Sequence, residues 1–139
     1  MYTISTDAYF DSAHFLPDYF GKCENIHGHR WKVTATIYAQ NLEKGGSEDS
    51  MVMDFSKFKH IVKEQVKVFD HMFLVTENTL PNDIMNKLED LGFDFLVLPY
   101  RTTAENLAYD FYQRFKAAGL PIKSVEVSET PNNRAKYEH

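Results

Sequence analysis

The chain has 139 residues, 43% of them hydrophobic and 25% charged, with a formal net charge of −5. That length fits a single domain with one core, burying about two-thirds of the surface its unfolded chain would expose. The acidic balance and the lack of any Lys/Arg run exclude binding driven by counterion release, so neither nucleic acid nor an anionic membrane surface is an expected partner.

No stretch is apolar enough for long enough to span a bilayer. Met1 to Thr6 has neither the basic start nor the apolar run of a signal peptide, which predicts a cytoplasmic protein. The single cysteine, Cys23, has no intrachain partner and is therefore a buried apolar residue, a surface bystander or a working thiol.

Residues 2 to 15 alternate as a strand, with Ile4, Ala8, Phe10, Ser12 and His14 on one face. The alternation is clearer from 29 to 40, where Trp31, Val33, Ala35, Ile37 and Ala39 oppose Arg30, Lys32, Thr34, Thr36 and Tyr38, and His27 and His29 continue the apolar parity. The segment between these strands, Leu16 to Ile26, is long for a hairpin and is expected to fold back over the histidines. Gly45 to Ser50 reads as a turn or loop. Asp54 can cap a helix carrying Phe55, Phe58, Ile61, Val62, Val66 and Phe69, which stops near Asp70-His71.

A short helix over Leu80 to Leu91 ends at Gly92, followed by a short strand from Phe93 to Leu98. Thr102-Thr103-Ala104-Glu105 matches a capping box for a helix with Ala104, Leu107, Ala108, Phe111 and Phe115 as its stripe. Ile122 to Thr130 alternates as a strand, and Arg134 to His139 can pair with it across Pro131-Asn132-Asn133. The expected architecture is α+β, a four-stranded antiparallel sheet with two main helices on one face. Its open edges predict pairing between copies.

Three histidines on core-bearing faces suggest a metal site: His27 and His29 project side by side, and His14 supplies a third imidazole from the neighbouring strand. Zinc suits such a set, with an open position for water or substrate, although iron and nickel also accept imidazole. Cys23, four residues before His27, is a small hydrophobe, a fourth zinc ligand, or a thiolate base stabilised by nearby positive charge. Asp70-His71 either satisfies a helix end or forms a carboxylate-oriented proton carrier. Glu129 shares a strand face with Val125 and Val127, where it needs either a salt bridge, to Arg134 or a lysine, or a ligand offering two adjacent N–H donors. Glu105 has its first use in the capping box. His60 and His139 are read as solvated and terminal.

Together, Phe10-Asp11-Ser12-Ala13-His14, Cys23-x3-His27-Gly28-His29, Asp54-Phe55, Asp70-His71, Thr103-Ala104-Glu105-Asn106 and Glu129-Thr130 resemble the superfamily of 6-pyruvoyl-tetrahydropterin and 6-carboxytetrahydropterin synthases along nearly the whole chain. The resemblance implies the tunnelling fold, with subunits joined into a β-barrel, commonly as hexamers. It implies zinc on His14, His27 and His29, Cys23 as general base, Asp70 and His71 in a proton relay, and Glu129 anchoring the pterin, with Thr103 and Glu105 as further substrate-binding candidates.

The implied substrate is 7,8-dihydroneopterin triphosphate. The three-residue gap between Cys23 and His27 resembles the bacterial 6-carboxytetrahydropterin synthases of queuosine (7-deazaguanine) biosynthesis, whose lyase reaction releases acetaldehyde and triphosphate. Glu129-Thr130-x-Asn132-Asn133 is closer to the pyruvoyl branch, which eliminates triphosphate without cleaving a carbon–carbon bond. A zinc hydrolase and a non-catalytic pterin- or metal-binding oligomer are the other readings the residues allow.

Overall fold

Two long strands carry the molecule: β1 (Tyr2–His14) and β2 (His27–Ala39) pair antiparallel in unbroken register, from Tyr2 opposite Ala39 to His14 opposite His27. The computed structural model describes residues 1–139. The chain continues through α1 (Phe55–Val66), β3 (Phe73–Thr76), α2 (Asn82–Asp90), β4 (Phe95–Leu98), α3 (Ala104–Ala117), β5 (Ile122–Thr130) and β6 (Asn133–Glu138). The strands form one six-stranded sheet in the order β4-β3-β1-β2-β5-β6.

The four-stranded antiparallel sheet expected from sequence is the β1-β2-β5-β6 part of this larger, mixed sheet, in which β3 runs parallel to both β1 and β4. The extra width was hidden because β3 is four residues long and buries Leu74 and Val75 on successive positions. A strand covered on both faces leaves no two-residue alternation to read.

One sheet face is dry. Val33, Ala35 and Ile37 of β2 and Val125 and Val127 of β5 are fully buried, and α1 and α3 lie against strands of this sheet, as the two expected main helices. α1 starts where Asp54 accepts a hydrogen bond from the Lys57 N–H at 3.0 Å and buries Phe58, Val62 and Val66; a 3₁₀ turn carries its apolar stripe on to Phe69. α3 buries Leu107, Ala108, Phe111, Tyr112 and Phe115. At the centre Phe10 stacks on Trp31 with centroids 5.7 Å apart and meets Phe69 and Phe111 at 5.6 and 5.8 Å. α2 buries no side chain and lies outside this core.

The capping box is displaced by one residue. Thr103, not Thr102, is the N-cap of α3, and its hydroxyl accepts from the Asn106 N–H at 3.3 Å. Glu105 therefore has no capping partner, and Thr102 is free to point into the core, where it is fully buried.

Candidate metal centre

The register of β1 and β2 assembles the histidines. His14 lies directly opposite His27, and His29 stands two residues along the same face, opposite Ser12. The three rings are close neighbours, with centroids 4.6, 4.8 and 5.2 Å apart, above the buried indole of Trp31. Their Nε2 atoms converge: those of His14 and His27 are 3.1 Å apart. Glu129 Oε1 comes in from β5, 2.7 Å from His29 Nε2 and 3.6 Å from His14 Nε2. The ligand atoms of all four residues lie within 4.8 Å of one another.

Backbone carbonyls fix two of the rings. His14 Nδ1 is 3.0 Å from both the carbonyl oxygen and the hydroxyl of Thr102, and His27 Nδ1 is 2.7 Å from the carbonyl of Asn25. A carbonyl only accepts, so each Nδ1 carries the proton and each Nε2 presents a lone pair. Two lone pairs facing each other repel unless a cation lies between them. A proton is a poor candidate, because burial, with the charges of His27 and His29 adding to it, lowers the His14 pKa to about 4.

Burial also pushes His29 down, against the opposing pull of the Glu129 carboxylate. The His29 Nε2 is itself buried without a hydrogen-bond partner, since Oε1, though 2.7 Å away, lies outside hydrogen-bonding geometry. Converging lone pairs, an orphaned buried nitrogen and a neighbouring carboxylate fit a divalent metal, and three nitrogens with one oxygen are donors zinc accepts.

Glu129 reaches this position through a break in the sheet. The β5–β6 register shifts between Ser128 and Thr130, placing Glu129 at a bulge. Bulges re-aim side chains, and this one turns an acid toward the imidazoles. A cleft of about 200 Å³ beside it is lined by His14, Thr103, Glu105, Glu129 and Arg134, so the two further substrate-binding candidates share a wall with the cluster.

The other expected residues lie outside the four-donor group. His71 is mostly exposed, its Nδ1 2.9 Å from Asp70 Oδ2, and adopts φ 59°. That left-handed conformation is held by β1: the His71 N–H donates to the Asp11 carbonyl at 2.7 Å and the Asp11 N–H donates to Asp70 Oδ1 at 2.9 Å. The Asp11 N–H, followed by the bond to His71, keeps the Asp70 carboxyl below its usual range. His71 and His29 both line an open cleft of about 880 Å³. Cys23 is half-buried in the 3₁₀ turn Lys22–Glu24, and its carbonyl accepts from the Leu16 N–H at 2.9 Å. Sequence reasoning missed Thr102, Asn25 and Asp11, because they act largely through backbone groups that every residue possesses.

An α+β sheet that gathers three imidazoles and a carboxylate at one end of its central strands defines the class as a candidate metal-binding protein. The chain belongs to the 6-pyruvoyl tetrahydropterin synthase family, whose model matches residues 3–139. It is 37% identical over 141 residues to the 6-carboxy-5,6,7,8-tetrahydropterin synthase of Haemophilus influenzae, covering 99% of each chain. It is 32% identical over 138 residues to the Synechocystis protein of the same name, covering 99% of this chain and 93% of that one. The fold matches the 6-pyruvoyl tetrahydropterin synthase structure of Caenorhabditis elegans with a TM-score of 0.70 at 22% identity, over 99% of this chain and 95% of the other.

Proposed function

We propose that this chain is a zinc-dependent lyase of queuosine biosynthesis, converting 7,8-dihydroneopterin triphosphate to 6-carboxy-5,6,7,8-tetrahydropterin with release of acetaldehyde and triphosphate. The observation that carries the reading is the convergence of His14, His27 and His29 Nε2 atoms on one point beside Glu129, in a chain 37% identical to a synthase of that name over 99% of both lengths.

His14, His27 and His29 would hold the zinc. When bound, zinc supplies Lewis acidity toward the substrate's side-chain oxygens. Glu129 anchors the pterin: its 2-amino group and N3–H present two donors on one edge, which a carboxylate accepts in parallel. Thr103 and Glu105 line the adjoining cleft and contribute to seating the ring. Cys23 Sγ removes a proton from the side-chain carbon. Asp70 accepts the His71 Nδ1–H, so the opposite ring nitrogen delivers or takes up a proton. No helix is long and apolar enough to cross a membrane, and the protein acts in the cytoplasm as a homo-oligomer, a hexamer on the family pattern.

The pyruvoyl product is the second reading, favoured by Glu129-Thr130-x-Asn132-Asn133. Incubating the zinc-loaded protein with dihydroneopterin triphosphate and identifying products by mass spectrometry tests both. The carboxy product with acetaldehyde is expected; the pyruvoyl product moves the chain to the other branch, and unconsumed substrate rejects both.

A further inference from the structure

Glu129 is asked to be in two places. Its Oε1 lies 2.7 Å from His29 Nε2 and 3.6 Å from His14 Nε2, within a four-residue group whose ligand atoms are all mutually within 4.8 Å. Three imidazoles and a carboxylate complete a four-donor zinc set, and such a closed set is the pattern of structural rather than catalytic zinc. Pterin anchoring requires the same carboxylate to turn both oxygens to a pair of N–H donors. It has the freedom to do so, because it sits at the β5 bulge and its side chain is 27% exposed, at the wall of the cleft shared with Thr103, Glu105 and Arg134.

We propose that Glu129 is the fourth metal donor of the ligand-free protein and that the pterin edge draws it away, opening the metal only when a substrate is seated. This rests on the pterin reading above and adds a coupling to it. The metal is closed against adventitious ligands while the site waits, and substrate recognition and activation become one event. A pterin bearing no side chain has no oxygens to offer the metal in exchange. Such a molecule and zinc should therefore compete for Glu129, each weakening the other by the same factor.

The test measures zinc affinity of the full chain by chelator competition, with and without saturating unsubstituted pterin, and pterin affinity with and without zinc. The expected result is reciprocal weakening on the order of 10-fold, with Glu129→Gln losing zinc affinity by on the order of 10-fold when no pterin is present. The melting temperature of the metal-free variant shows whether it folds, and the wild-type coupling needs no variant. Pterin binding unaffected by zinc overturns the exchange while leaving the pterin reading intact. Wild-type zinc affinity in folded Glu129→Gln overturns it too. A pterin that binds in neither state overturns the pterin reading and the exchange with it.

Discussion

His14 buries a titratable ring in the core, and the consequence for stability has a definite sign. Its folded pKa is about 4 against an ordinary 6.5. Between those values the unfolded chain binds a proton that the folded chain refuses, so stability rises with pH through the window and is lost on acidification. For the metal-free protein the loss reaches about 3 kcal/mol by pH 4. Urea unfolding at pH 7, 5.5 and 4 should show it, with the dependence flattened in His14→Gln; parallel profiles for the two proteins would refute the assignment. The Thr102 hydroxyl is the second point at this scale. At 3.0 Å from His14 Nδ1 it steadies the ring, and a Val methyl there would tilt it. Thr102→Val should weaken zinc binding about 10-fold, with Thr102→Ser close to wild type by the same chelator titration. The histidines themselves were legible in the sequence because His27 and His29 share the parity of Trp31 and Val33, and His14 that of Ala8 and Phe10. Thr102 was not, since its neighbour Thr103 is an equally good cap by residue type and only the path of the chain assigns them.

The elements show why the long strands were readable, why β4 was found within the expected Phe93–Leu98 strand, and why β3 was missed. β1 and β2 are each 13 residues long and carry one dry and one wet face, so their alternation is unambiguous. β3 and β4 are four residues each, too short to establish a period, and their parallel places, β3 beside β1 and β4 beside β3, depend on contacts far apart in sequence. α3 was clear from its apolar spacing, and its start shows how an element tunes the site. Thr103→Ala should cost about 1 kcal/mol in thermal unfolding and loosen the turn that presents Thr102 to His14. No change in melting temperature would mean that packing of Phe111 and Phe115, rather than the cap, fixes this end of the helix. The bulge at Glu129 had one sequence signal, an acid on an apolar face; the register shift that aims it is a property of the β5–β6 pairing.

At the scale of the molecule, the sheet ends at β4 on one side and β6 on the other, each with an unpaired edge. Exposed edges invite strand addition, and the proposed oligomer would cover them. Light scattering should give one species at six times the chain mass of 16.2 kDa, and a monomer at micromolar concentration would contradict the assembly. Within each chain, the long β1–β2 ladder, the helix-covered core and the β5 bulge together bring four donors to one point. X-ray absorption at the zinc edge examines that convergence most directly, on the purified protein and on His14→Ala, His27→Ala and His29→Ala. One zinc per chain with imidazole nitrogens at about 2.0 Å, lost in each variant, is the predicted result. Zinc absent from the wild type, or retained undiminished when any one of the three histidines is removed, would contradict the account.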